Sequence, residues 1–271
     1  MNPPAGQRLE VACVGALGRM GGCVRAALAA ADDAVLAGAL ESTGHPGIGR
    51  VLEDGVTVTD DAKGAFARAQ VAIDFSTPAA TLAAMRTAAD LGIPYVCGTT
   101  GLRGGERAEL ERLAGRIAVV AAANFSVAVN VLVHLAGEAA RLLGSGFDAE
   151  IVELHHAAKL DAPSGTALWL ASAVAGARGV ELDDALVLTR EGDTGPRRPG
   201  SISVLSLRGG DNPGEHSLLL VGRGERIELV HRAATRDHFA AGALRAARWL
   251  QGRAAGLYSI EQVLGLASSP G

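Results

Sequence analysis

The chain has 271 residues, 48% hydrophobic but only 3% aromatic, with 36 glycines and a formal net charge of −4. Its length favours two moderate domains over one large one, and a core of Ala, Val and Leu with so many glycines fits an α/β protein. The absence of a basic block excludes an electrostatic footprint for nucleic acid or an anionic membrane surface, so small-molecule partners are expected.

Three dispersed cysteines, Cys13, Cys23 and Cys97, suit neither a disulfide framework nor a zinc site and suggest a reducing compartment. The start "MNPPAGQRLEVACVG" lacks an export-signal pattern, and no apolar stretch reaches membrane-spanning length without charged or turn residues. The expectation is a cytoplasmic protein.

Residues 9–14, "LEVACV", read as a strand, "GALGRMGG" as a glycine turn and "CVRAALAAA" as a helix. The strand "AVLAGALE" ends at Glu41, and "STGHPGIGRVLEDG" reads as a surface loop. "VAIDFSTP" is a strand halted by Pro78, "AATLAAMRTAADLG" a helix up to Gly92, and "IPYVCGTTG" a strand then turn. The amphipathic helix "GERAELERLAGR" leads to "IAVVAAANFS", again strand then turn. This alternation predicts parallel strands with crossover helices, a doubly wound sheet over residues 1–126.

The pattern changes near Ser126. After the helix-like "VAVNVLVHLAGEAARLLG" come the strands "AEIVELHH", "ALVLTRE", "SISVLSLRG", "EHSLLLVG" and "ERIELVHRA", with one helix, 164–177, between the first two. A second, mostly sheet-built domain is expected over 127–236. From Asp237 the helix "HFAAGALRAARWLQGR" and the amphipathic tail "YSIEQVLGL" are expected to pack back on the first domain, so that 237–271 completes it.

Gly15, Gly18 and Gly21 form G-x-x-G-x-x-G between the first strand and helix, a variant of the G-x-G-x-x-G dinucleotide turn with Ala16 and Leu17 inside it. The physical demand is the same: a tight turn, close backbone approach to a pyrophosphate and helix-start amides facing negative charge, with Arg19 adding a cation. Glu41, at the end of the second strand, is placed to accept from adenosine ribose hydroxyls. Ser42 beside it offers no cation to a 2′-phosphate, which favours NADH over NADPH, unless Arg19 or Arg50 folds over the site. The later strand ends, Phe75–Thr77, Gly98–Gly101 and Ala123–Ser126, are small or hydroxyl-rich, as a cofactor crevice at carboxyl strand ends requires.

In "ELHHAAKLDAPSGTAL" a strand sends His155 and His156 to opposite faces, so they do not chelate one metal, and no nearby spacing supports a metal site. His155, His156 and Lys159 point to acid-base chemistry, Lys159 as proton donor or anion-binding charge. Pro163 and Ser164 open a helix, with Ser164 as N-cap and Gly165 and Thr166 supplying first-turn amides where a carboxylate can bind. Asp161 is placed to fix the turn or Lys159.

With both constellations in view, the chain resembles the 4-hydroxy-tetrahydrodipicolinate reductase family of the diaminopimelate route to lysine, formerly called dihydrodipicolinate reductases. The segments "VGALGRMG", "CGTTG", "AANFSVAVN", "ELHHAAKLDAPSGTAL", "REGDTGPR", "RGGDNPGEHS" and "ATRDHFAAGALRAA" look like family segments in family order. The resemblance implies that Gly15, Ala16, Leu17, Gly18, Arg19 and Met20 hold the pyrophosphate and Glu41 the adenosine ribose. Gly98, Thr99, Thr100 and Ala122, Ala123, Asn124, Phe125 would face the nicotinamide half. It further implies His155 as catalytic histidine, Lys159 as proton donor, and His156, Gly165 and Thr166 as contacts to the carboxylates of a heterocyclic dicarboxylate. The family fold is a Rossmann domain completed by C-terminal helices plus a mixed α/β domain whose open sheet builds a homotetramer.

Two departures stand out. Ser42 replaces an arginine that some members carry after the ribose-binding acid, and Ser203 sits where an "I-G" pair is usual, so a local backbone change is expected there. The implied reaction transfers hydride from NADH, or NADPH, to the ring carbon vacated by loss of the 4-hydroxyl as water, with domain closure bringing cofactor and ring together. Two alternatives are a related Rossmann reductase for another amino-dicarboxylate and a non-enzymatic NAD-binding sensor.

Overall fold

A computed structural model describes residues 8–52 and 55–266. In chain order the elements are β1 (Leu9–Val14), α1 (Arg19–Ala29), β2 (Ala34–Leu40), β3 (Val58–Thr59), α2 (Ala62–Phe66), β4 (Val71–Asp74), α3 (Pro78–Leu91), β5 (Tyr95–Cys97), α4 (Gly105–Ala114) and β6 (Ala118–Ala121). Next come α5 (Val127–Leu143), β7 (Asp148–His155), α6 (Gly165–Arg178), α7 (Leu182–Ala185), β8 (Leu186–Val187), β9 (Ile202–Arg208), β10 (Glu215–Val221) and β11 (Arg226–Arg232). The chain ends with α8 (Asp237–Trp249), β12 (Gly256–Tyr258) and α9 (Ile260–Leu264). It divides into two compact units, residues 1–127 with 236–271, and residues 128–235.

The first unit is a seven-stranded sheet in the order β12-β6-β5-β4-β1-β2-β3, parallel throughout. Alternation within β1 shows how it is covered on both faces. Val11 and Cys13 pack with Val24 and Leu28 of α1 and with Ala243 and Leu244 of α8, whereas Ala12 and Val14 pack with Leu82 and Met85 of α3 and with Leu113 of α4. A sheet buried on both sides needs small and branched apolar residues at nearly every strand position, which is what the Ala-Val-Leu composition provides.

Pro78, which stops the β4 pattern, opens α3, where its missing amide is one the helix start would leave unpaired in any case. Three pieces of this unit have no counterpart in the sequence expectations: β3, α2 and β12. Strands of two and three residues are too short to show a period, and α2, with Asp61 capping the Lys63 and Gly64 amides at 3.0 and 3.1 Å, is a five-residue helix.

The second unit is a five-stranded mixed sheet, β11-β10-β7-β9-β8. β10 is antiparallel to both β7 and β11, while β9 is parallel to β7 and β8. Ala149, Ile151, Val204, Leu218 and Leu220 turn to one face and pack against Leu132 and Ala136 of α5 and Leu170 and Val174 of α6. By length and composition α5 could cross a membrane. Its buried side instead belongs to this core, and its exposed side carries the ion pair Arg141–Glu138 at 2.7 Å.

The expected strand "ALVLTRE" shrinks to β8, because Arg190 leaves the strand path and forks onto Glu150 at 2.9 Å through both terminal nitrogens. The backbone change expected at Ser203 is absent. β9 pairs with β7 residue for residue, and the Ser203 hydroxyl accepts from Arg190 at 2.6 Å and donates to Glu150 at 3.1 Å.

Candidate active site

Two groups of residues stand out, one in each unit. In the first, the glycine turn links β1 to α1. Gly15 adopts φ +69°, and a Cβ at Gly21 would lie 2.1 Å from the Gly15 carbonyl oxygen, so only glycine lets the helix start lie this close to the turn. Gly18 caps α1 without a side-chain hydrogen bond, so the first-turn amides, those of Arg19, Met20 and Gly21, lack intrahelical acceptors and suit an anion. The Glu41 carboxylate accepts from the Leu17 amide at 2.7 Å and the Ser42 amide at 3.2 Å, tying the end of β2 to the turn.

A cavity of about 650 Å³ brings Gly15, Leu17, Gly18 and Glu41 together with Phe75 and Thr77. Ala16 is fully buried behind the turn, and Arg19 is exposed; neither lines the cavity, nor does Met20. Thr99, Thr100, Ala122 and Ala123 line a separate cavity of about 270 Å³. Gly98 lies against the Phe75 ring, whose edge meets buried Phe125 with centroids 5.8 Å apart, and Asn124 turns its Oδ1 to the Ser126 amide at 2.8 Å.

The sequence reading missed what ties these strand ends together. Asp74, fully buried at the end of β4, accepts from the Ser76 amide at 2.7 Å and the Tyr95 hydroxyl at 2.8 Å, and the Thr81 and Thr99 hydroxyls beside it lie 2.7 Å apart. Burial pushes the Asp74 carboxyl up, opposed by its hydrogen bonds to Ser76, Thr81 and Tyr95. A carboxylate inside the apolar run "VAIDF" was the available signal.

In the second unit, β7 ends at His155, which faces inward and is 8% exposed, while His156 follows the strand and is half-buried. The His156 amide donates to the Asn212 carbonyl at 2.8 Å. Two residues earlier on the same face is Glu153, fully buried, whose Oε2 lies 2.5 Å from His155 Nδ1. Arg208 of β9 donates to both Glu153 oxygens at 2.9 and 3.0 Å, and the Ser164 amide donates to Oε1 at 3.2 Å. Burial raises the Glu153 carboxyl, but Arg208, Ser206 and His155 together hold it below the usual carboxylate range. Burial also draws the His155 imidazole below its ordinary value, against the pull of Glu153.

Lys159 Nζ donates to Asp161 Oδ1 at 2.8 Å, which holds that carboxyl low, and Arg208 donates to the Asp161 carbonyl at 2.6 Å. Ser164 caps α6, accepting from the Ala167 amide at 3.2 Å, and pairs with His216 Nε2 at 3.2 Å; Gly165 and Thr166 begin the helix. Burial, then the neighbouring His155 and His231, drive His216 down to about 4, so it is neutral. Glu153, Arg208 and His216 are absent from the sequence reading. The period of two on a strand points to Glu153, but Arg208 and His216 arrive from strands more than fifty positions away. Among the described residues, no group of His, Cys, Asp or Glu could hold a metal ion.

Comparison with known proteins adds two matches that together span most of the chain: "Dihydrodipicolinate reductase, N-terminus" over residues 9–125 and "Dihydrodipicolinate reductase, C-terminus" over residues 128–264. The 4-hydroxy-tetrahydrodipicolinate reductase of Thiobacillus denitrificans is 48% identical over 264 residues, covering 95% of this chain and 99% of the relative. That of Burkholderia cenocepacia is 45% identical, covering 95% and 100%. Among solved structures, a dipicolinate-bound dihydrodipicolinate reductase from Paenisporosarcina sp. TG-14 superposes with a TM-score of 0.77 at 23% identity, covering 93% of this chain and 98% of that one, which shows the shared fold.

Proposed function

The chain belongs to the dihydrodipicolinate reductase family and is an NAD(P)H-dependent oxidoreductase that reduces 4-hydroxy-tetrahydrodipicolinate with loss of water, and from that premise we propose how its residues divide the work. The first unit binds the dinucleotide. The close packing of Gly21 on Gly15, the first turn of α1 and the Glu41 carboxylate fit a pyrophosphate and a ribose, with Gly15 to Met20 at the former. Gly98 to Thr100 and Ala122 to Phe125 form the nicotinamide half, largely through backbone. When bound, the nicotinamide supplies the hydride.

The second unit binds the dicarboxylate and manages the proton. Gly165 and Thr166 at the start of α6, with His156, hold carboxylates. Lys159, as an ammonium on Asp161, stabilises negative charge developing on the ring and delivers a proton, with His155 tuning or relaying it. The observation that carries this division is the convergence of His155, the start of α6 and, through Arg208, the Lys159 loop on one buried carboxylate, Glu153.

NADH is the preferred donor. Ser42, Thr43 and Asp60 line the cavity beside Glu41 and add no fixed positive charge for a 2′-phosphate. The protein works in the cytoplasm as a homotetramer. The sheet face away from α5 and α6 exposes Leu207, Val221 and Val230, rimmed by the ion pairs Arg226–Glu228 and Arg232–Glu215, and charges of both signs make such a face self-complementary for a second copy.

One coupled assay with enzymatically generated substrate tests the reading. Substrate-dependent oxidation of NADH is expected, with kcat/KM higher for NADH than for NADPH. Cofactor binding without turnover would indicate a sensor, and an NADPH preference would refute the Ser42 argument. Sedimentation of the wild type against Leu207→Glu reports the assembly: a tetramer that falls to smaller species supports it, and a monomeric wild type sinks it.

A further inference from the structure

We propose that Glu153 is a positioning residue for the reduction. Its buried carboxylate fixes His155 with the ring proton on Nδ1 and Nε2 left for the substrate side, and through Arg208 it sets the loop that carries Lys159. The proposal deepens the site reading above and rests on its assignment of His155.

The geometry leaves Glu153 few other roles. It is fully buried and takes donors from His155, both Arg208 nitrogens, the Ser164 amide and the Ser206 hydroxyl. An ionised carboxylate only accepts, so the 2.5 Å contact must be Nδ1–H donating to Oε2, and this decides the tautomer of neutral His155. Nε2 then holds the lone pair that exchanges a proton. Gly214, at φ +149°, leaves the space beside it, since a Cβ there would sit 2.8 Å from Nε2.

A buried ion pair gains little net stability over an apolar alternative, so this arrangement calls for another use. Arg208 shows what that is. The guanidinium that clamps Glu153 also donates to the Asp161 carbonyl at 2.6 Å, and the Asp161 side chain takes the Lys159 ammonium at 2.8 Å. One carboxylate thus sets both the imidazole and, two contacts further on, the ammonium.

The charged and titratable groups facing His155 are Glu153 on its own strand, Arg208 on β9, His216 on β10 with ring centroids 5.2 Å apart, and Lys159 on the loop. His231 on β11 stands behind His216 at 6.1 Å. Glu153 is the anion of that set, and Arg208 and Lys159 oppose protonation of the ring. Replacing Glu153 with glutamine therefore moves the His155 ionisation to lower pH.

The test begins with nitrogen-15 NMR of histidine-labelled wild-type protein, which needs no variant. His155 is expected as the Nδ1–H tautomer, and an Nε2–H tautomer overturns the proposal. Glu153→Gln is expected to lower kcat by roughly 10- to 10³-fold with little change in substrate KM, and to shift the His155 limb of the pH profile down by about one unit. Glu153→Asp should recover part of the rate and move the limb back towards the wild-type position. Unchanged kcat and an unchanged profile in a folded Glu153→Gln overturn positioning. Full activity in His155→Ala, with the wild-type tautomer as expected, refutes instead the role of His155 on which the proposal rests.

Discussion

The two candidate sites are built from opposite materials. The proposed dinucleotide side uses backbone: glycines at a helix start and small residues at strand ends, with carboxyl groups only at the rim, Glu41, and in the interior, Asp74. The proposed dicarboxylate side uses ionisable side chains, with the Glu153–Arg208 ion pair, His155 and neutral His216 sharing the inner face of one sheet. Shape and oriented amides suffice where a ligand is only held, whereas moving a proton requires groups whose ionisation is controlled.

The sharpest way to break this comparison is to remove the proton chemistry alone. Lys159→Ala and His155→Ala are each expected to lower kcat by roughly 10²- to 10⁴-fold, while NADH binding measured by fluorescence titration stays as in the wild type. Near-normal kcat in both variants sinks the assignment, and a large loss of NADH affinity would show that the two sets of residues do not work separately.

Acid should sort the units next. The folded-state ionisation of His216 is lowered from 6.5 to about 4, so between those values the unfolded chain binds the extra proton. Stability from this group is full above about pH 6.5 and falls as pH drops towards 4, by up to about 3 kcal/mol, with His155 adding in the same direction. Asp74 has the opposite sign: its carboxyl is raised by burial, so its contribution is present at low pH and lost as pH rises through the raised value. Urea midpoints followed over this range should fall steeply for the wild type and less steeply for His216→Asn. Parallel curves would mean that His216 is already charged in the folded protein.

The dinucleotide side should respond to bulk where the other side responds to charge. Gly21→Ala places a methyl 2.1 Å from the Gly15 carbonyl, so the turn must open. The NADH Kd is expected to rise about tenfold or more, roughly 1.4 kcal/mol, with kcat at saturating NADH nearly unchanged. An unaltered Kd would mean that the turn does not hold the pyrophosphate.

The same contrast explains what the sequence made legible. Spacing of glycines and the strand-helix alternation are local, so the doubly wound sheet and the turn at Gly15 to Gly21 can be read from short stretches. Ser164 as helix cap and the Asp161 contact to Lys159 are local too, and both occur. A network is not local: Arg208 and His216 reach Glu153, His155 and Ser164 only because β9 and β10 flank β7 in the sheet, and nothing in "SLRGG" or "GEHSL" alone predicts those neighbours. β3, β12 and residues 188–191 were misread for a different reason, since two or three paired residues, or a strand path abandoned for an ion pair, leave no periodic pattern.

The smallest expected effect separates two uses of charge within the second unit. Glu150 and Glu153 lie on opposite faces of β7, and each is gripped by arginine: Glu153 by Arg208, Glu150 by Arg190 and Arg197 at 2.9 Å. Burial would raise both carboxyls, and the arginines keep both below the ordinary range. What differs is the histidine: Glu153 carries His155 besides its serine donors, whereas Glu150 has only Ser203 beside its arginines. A serine hydroxyl between Arg190 and Glu150 can fix the 188–200 segment but cannot transfer a proton at neutral pH. Ser203→Ala should therefore cost about 1 kcal/mol of stability, read from urea unfolding, and leave kcat and its pH profile unchanged. A shifted pH profile in that variant would mean that the two carboxylates are coupled across the strand, and that charge on the outer face also serves the chemistry on the inner one.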